Sequence, residues 1–319
     1  MSHFSAVTNA YVGSWARRNM FVPIYVAVRL LVIALIAPIM AFAVNFAVSL
    51  SNQSALTDQD IAMFILSPAG FVVAVVMLSL FLLAEVLVFA VMAGSLRVGE
   101  QDPWRAGSSA IGLILNNLSS LMSFAVRLVL RVLVLILPFA AVAAVIAWWT
   151  LTEYDINYYL TFHPPSFWLA VILIGLIALA LAWVLIHRLS DWALSLHLVL
   201  FEGLAPAKVF GESVRRMEDK RVRLQIQLAL WVLLRLAIAT VLGGIASLLF
   251  DLVPLKEGVN LRLALTLSLT VAALWSLAGL VLAATALGAL AVLLDGFFEP
   301  KSAEQSHPQP RNLRPRLFA

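Results

Sequence analysis

Six long apolar runs constrain this chain more than any other feature. Windows at about 21–47, 65–96, 121–148, 167–198, 224–250 and 261–294 each exceed the roughly 20 apolar residues that carry a helix across a hydrocarbon core. The runs are continuous and rich in Leu and Ala, which favours helices over the alternating strands of a membrane barrel. The expected fold is an all-α membrane protein, a six-helix transmembrane bundle. Charged residues are only 12% of the 319, about half the share of a soluble domain. Six spans at this length leave room for one membrane domain and no second folded one.

The loops set an orientation, because Lys and Arg near helix ends mark the cytoplasmic side. One set of segments carries Arg17, Arg18, Arg97, Arg105, Arg127, Arg188, Lys208, Arg215, Arg216, Lys220, Arg221 and Arg223, and the tail adds Lys301, Arg311, Arg314 and Arg316. The alternate loops hold Lys256 and Arg262 among the acids Asp58, Asp60, Glu153, Asp155, Asp251 and Glu257. Both termini are therefore expected in the cytoplasm, with the protein in a bacterial inner membrane. Trp148, Trp149, Tyr154, Tyr158, Tyr159, Phe167 and Trp168 fall where an outer aromatic belt belongs.

The net charge of +4 sits in short loops beside membrane, where it sets topology and attracts anionic lipid; nucleic acid is not an expected partner. With no cysteine, disulfides, thiol catalysis and thiolate metal sites are excluded. The five histidines match no metal spacing, and no cofactor or metal is expected. Arg17-Arg18 before an apolar run is read as holding the N-terminus inside, since the run to Val44 is too long for a signal-peptide core. Residues 1–20 read as a cytoplasmic amphipathic lead-in, 21–298 as the six-span membrane domain, and 299–319, with its four prolines, as a cytoplasmic tail or linker.

Two basic loops look alike. Glu100 is followed by Asp102-Pro103-Trp104-Arg105-Ala106 and Ser108-Ser109; Glu202-Gly203 is followed by Pro206-Ala207-Lys208 and Ser213. Each predicts a short interfacial helix, near 103–117 and 205–218, with Pro tolerated in the first turn and Asp102 capping the first helix. In the second, Val209, Phe210, Ser213, Val214 and Met217 share one face, while Lys208, Glu212 and Arg216 follow at i, i+4 on the other. That apolar face is expected to lie down into the membrane interface. The units 65–148 and 167–250 suggest an internal repeat.

Ionisable residues inside spans cost at least ~2.5 kcal/mol unless paired or hydrated. They are Arg29, Glu85, Arg127, Arg131, Arg188, Asp191 and Arg235, all placed by the topology toward the cytoplasmic leaflet as one polar layer. Three readings stay open. In the first, Glu85 neutralises a neighbouring Arg, Asp191 neutralises Arg188 at i, i+3, and the other arginines snorkel to phosphates. In the second, a surplus of arginine forms a basic cavity for a phosphate or phosphodiester. The third is an ion or proton pathway, for which only His187 and Asp191 stand at i, i+4. Depth counted along the second and third spans puts Glu85 and Arg131 each roughly 15 Å from their shared loop, so these two are expected to pair.

Enzyme motifs are absent: no Gly-rich phosphate loop, nucleophile elbow or Ser–His–acid pattern can be read. Asp191-Trp192, then Leu198 to Glu202-Gly203, then Pro206-Ala207, Ser213 and Arg215-Arg216 form a pattern of about 35 residues. It resembles the membrane domain that precedes the catalytic barrel of bacterial glycerophosphodiester phosphodiesterases. The barrel's His-Arg-Gly and Glu-Asn-Thr motifs do not occur here, so no catalytic residue carries over, and Glu202, Gly203, Pro206 and Ser213 enter only as motif positions. The resemblance implies a non-catalytic membrane domain linked to glycerophosphodiester or phospholipid metabolism. It would bind anionic lipid or phosphodiester headgroups and present them to a partner, whether a cytoplasmic phosphodiesterase domain or another copy of itself. The alternative is a transporter or channel subunit for a small anion, although the outer halves of the spans offer little polar beyond Asn45.

Overall fold

A computed structural model describes residues 2–50, 68–97, 102–151, 154, 156–252 and 261–298. Expectations for Asp58, Asp60, Glu100, Glu153, Asp155, Lys256, Glu257 and the tail 299–319 lie outside the described residues. Eleven helices are described, and no strand occurs among the described residues. In chain order they are α1 (His3–Ala16), α2 (Arg18–Leu50), α3 (Pro68–Arg97), α4 (Pro103–Asn116), α5 (Leu118–Leu151), α6 (Ile156–Phe162), α7 (Pro165–Asp191), α8 (Ser195–Glu202), α9 (Val209–Met217), α10 (Arg221–Asp251) and α11 (Leu261–Asp295).

Six spans among them are long and apolar enough to cross a membrane, based on α2, α3, α5, α7, α10 and α11. The chain is an all-α integral membrane protein built as a six-helix bundle. The spans pack as a ring, α2–α3–α5–α7–α10–α11, closed by α11 against α2, with α11 also touching α3. Arg97 of α3 meets Asp295 of α11, and Arg223 of α10 lies over Phe297, so these helix termini share one end, the basic end.

Burial concentrates at that end. Val86, Val88, Ala90, Val91 and Met92 of α3 are buried, whereas Phe71, Val72, Val76 and Phe81 of the same helix are exposed. Lipid is as apolar as these side chains, so the open halves need no protein cover. The core is filled instead by α8 and α9, whose Leu196, Leu198, Val199, Leu200, Val209, Phe210 and Met217 join Leu121 and Phe124 of α5 and Leu224 of α10 in one cluster. At the opposite end α6 turns Tyr159 inward, stacked against Phe167 and bonded to the Thr150 carbonyl at 3.4 Å.

Three sequence expectations change shape here. The apolar run 167–198 is not one helix: α7 ends at Asp191, a turn covers 192–194, and α8 restarts at Ser195. The second short helix does not lay its apolar face into lipid. Val209, Phe210, Ser213 and Met217 are all within 2% of full burial, covered by protein because α8 and α9 fold back into the ring. The lead-in 3–16 is a helix docked on α10 and α11, with Val7 and Ala10 packed against Ala289 and Leu293. Close approach requires glycine there: a Cβ on Gly288 would stand 2.5 Å from Ser14 Oγ and 2.7 Å from Phe21 Cδ2.

Candidate functional site

Among the described residues the seven intramembrane charges are held in pairs, stacks and single hydrogen bonds. Glu85 on α3 accepts a hydrogen bond from Arg29 on the adjacent α2. The expected Glu85–Arg131 pair is therefore not formed. Depth along α3 fitted both arginines, and the choice fell to α2. Arg131 instead lies 4.3 Å over the Phe210 ring, and Arg235 lies 5.7 Å over Trp231. Arg127 donates from Nε to Ser123 Oγ at 3.3 Å.

The motif residues gather in the α7–α10 turn, and each has a structural task. Glu202, at the end of α8, receives both Nη groups of Arg216 at 2.7 Å each. The Arg216 Nε donates to Glu212 at 2.9 Å, and Arg215 reaches the same carboxylate at 2.7 Å. Glu202 and Arg216 are nearly buried, with 12% and 16% of their side chains exposed. The Glu202 hydrogen bonds, chiefly, raise the Arg216 pKa above its ordinary value. Gly203 takes φ +62°, the left-handed conformation that ends a helix and favours glycine, and lets Leu204 N–H reach the Leu198 carbonyl at 3.2 Å. Pro206 sits in the turn ahead of α9, closed by Lys208 N–H to the Ala205 carbonyl at 2.8 Å. Ser213 donates across to the Asp191 carbonyl at 2.7 Å.

Asp191 joins this latch to an open notch. Its side chain is 3% exposed and contacts Arg221 Nε at 2.5 Å and Arg188 Nη1 at 3.9 Å. The i, i+3 pairing with Arg188 is present but long; Arg221, one helix away, is the tighter partner. Trp183, Val184, His187, Arg188, Asp191 and Arg221 line a cavity of about 310 Å³. The His187 ring packs 4.4 Å from Trp183, which spacing at i, i+4 foretells. Two guanidiniums against one carboxylate leave one surplus positive charge among the residues lining this notch, and Arg188 is 55% exposed.

Arg97, marked in the sequence only as a basic loop residue, donates from Nε to Asp295 at 2.7 Å while its guanidinium lies 4.6 Å over both Phe201 and Phe298. His197, one of the five histidines set aside for want of a metal spacing, is 1% exposed among the rings of Phe89, Phe201 and Phe298. Both of its ring nitrogens lack a hydrogen-bond partner among the described residues. A histidine inside the otherwise apolar run 196–201 was the available signal. No group of three His, Cys, Asp or Glu side chains that could hold a metal occurs among the described residues.

Comparison of the chain with family models, with curated proteins and with solved structures returns no match.

Proposed function

We propose that this protein is a non-catalytic membrane domain that binds the anionic headgroup of a phospholipid or phosphodiester at the rim of its basic end and presents it to a partner. On this reading the basic end faces the cytoplasm of a bacterial cell, both termini lie there, and the chain serves glycerophosphodiester or phospholipid metabolism. The partner is a hydrolase or a second copy. The observation that carries the reading is the notch, where Arg188 and Arg221 converge on a single buried Asp191 with a net positive charge left over. A phosphate accepts charge-assisted hydrogen bonds from such a pair, while Trp183, 66% exposed, lines the notch with an apolar ring suited to the interface. The resemblance over Asp191–Val222 supports the metabolic link, since Asp191 belongs both to the motif and to the notch.

The test is lipid retention by the purified full-length protein, read by native mass spectrometry after incubation with phosphatidylglycerol or phosphatidylcholine. Arg188 is half exposed, so Arg188→Gln leaves the fold intact. One arginine at a membrane surface is worth about 1 kcal/mol toward anionic lipid, so phosphatidylglycerol retention should fall about fivefold. Retention equal to the unaltered protein would overturn the reading.

A further inference from the structure

A second feature lies at the next seam of the ring, where α1 covers α10 and α11. Tyr11, Val12 and Trp15 of α1, Ile238 and Leu242 of α10, and Leu277, Ala278, Val281, Leu282 and Thr285 of α11 enclose a groove of about 600 Å³. That volume falls in the ~300–1,000 Å³ range of small-ligand sites. From Leu277 to Thr285 it runs roughly 12 Å along α11, most of the ~15 Å depth of one hydrocarbon leaflet. Its walls are apolar apart from Tyr11 and Thr285. Both hydroxyls are occupied: Tyr11 donates to the Trp231 carbonyl at 3.3 Å and Thr285 to the Val281 carbonyl at 2.8 Å.

The rim is cationic. Arg235 precedes Ile238 and Leu242 by three and seven residues, which places it on the groove-lining face of α10. Burial raises the Tyr11 phenol to about 12, and the charge of Arg235 works against that rise. Arg18 lies 5.2 Å over Trp15, the residue at the groove's other edge. Neither arginine has a carboxylate within ion-pair distance among the described residues, and α1 carries no acid. Thus an apolar slot of leaflet depth is flanked on its α10 side by Arg235 and at its Trp15 edge by Arg18, with no carboxylate in ion-pair distance of either among the described residues.

We infer that this groove is a binding site for an anionic membrane phospholipid, one acyl chain lying along Ile238, Leu242 and Leu277 and its phosphate held by Arg235. The site stands independently of the notch beside Asp191, and it assigns α1 a purpose: Tyr11 and Trp15 form one wall of the slot.

The test uses full-length protein in nanodiscs containing phosphatidylglycerol or phosphatidylcholine that carries a photoactivatable diazirine on one acyl chain, with labelled peptides located by mass spectrometry. Labelling of the 238–242 and 277–282 segments should be stronger with phosphatidylglycerol. Arg235→Gln should lower that labelling about fivefold and leave phosphatidylcholine labelling unchanged. Ala278→Trp, which fills the slot from its α11 wall, should abolish labelling there with either lipid. Excess inorganic phosphate should not compete, because the acyl chain supplies part of the binding. Equal labelling by the two lipids, or no change in Arg235→Gln, would overturn the inference. Displacement by phosphate would assign the arginines to a free anion instead and equally overturn it. Arg188→Gln should leave this labelling untouched, so failure of the notch and failure of the groove are separable outcomes.

Discussion

The two helical returns at the basic end look alike in sequence and are held by different forces. In the first, α4 approaches α2 and α3 through small residues. Ala106 and Ala110 are fully buried, a Cβ on Gly94 would lie 3.2 Å from Ala110 Cβ, and one on Gly107 3.4 Å from Ile24. Asp102 caps the helix by accepting from Trp104 N–H at 2.9 Å. In the second, α9 is only nine residues long and buries Val209, Phe210 and Met217, each worth about 1.5–3 kcal/mol. That burial is enough to hold α9 against the ring. The Glu202–Arg216–Glu212 chain adds a largely buried ionic link from the end of α8 to α9, a link that is costly to break from one side only. One return rests on shape, and the other adds charge.

The largest effect should come from breaking the charged return. Arg216→Met takes from Glu202 its two Nη contacts and from Glu212 its Nε contact. Removing one member of a buried pair costs about 3–5 kcal/mol, whereas replacing both with apolar residues costs far less. The melting temperature in detergent should therefore drop sharply for Arg216→Met and recover most of the loss in Glu202→Met/Arg216→Met. Strictly additive losses would mean the two side chains are not coupled, and the distinction between the returns would fail.

The shape-held return should respond to volume instead. Ala110→Leu forces a branched side chain against Gly94, and overpacking of this kind costs about 1–3 kcal/mol. Thermal unfolding should show that loss, with no rescue from any single charge change in α9. A neutral result would mean that α4 moves aside easily and that its close contact is incidental.

Much of this was legible in the sequence, for physical reasons. Apolar length alone fixes spans, so all six were readable, as were the Asp102 cap and Pro103 at the start of α4. The face of α9 was also readable, because 3.6-residue periodicity is local. What covers that face was not, since lipid and protein interior are equally apolar to Phe210. Pairing across helices was unreadable for the same kind of reason: Glu85 found Arg29 rather than Arg131, and only lateral neighbourhood separates the two. The Glu202–Arg216 pair spans 14 residues and two helix boundaries. Its members were visible as a motif, but their contact depends on Gly203 turning α8 back on itself. The docking of α1 rests on Gly288, a small residue among many in α11, with nothing local to mark it.

The smallest predicted effect lies at the seam between the returns. Phe210 of α9 stacks on Phe124 of α5 at 5.5 Å and meets Trp192 edge-on at 5.6 Å, so one ring joins the element after the first return to the heart of the second. Arg131 of α5 closes over that ring. A cation over an aromatic face is worth about 0.5–1 kcal/mol at an exposed site, and Arg131 is exposed. Arg131→Gln should therefore lower thermal stability slightly, and it should lose that effect in a Phe210→Leu background, where no ring remains. Combined with Glu85→Gln, it should be additive, because Glu85 answers to Arg29 on the other side of α3. If Arg131→Gln coupled to Glu85→Gln and not to Phe210→Leu, the charge would belong to the α3 carboxylate. The two returns would then be joined by aromatic stacking alone.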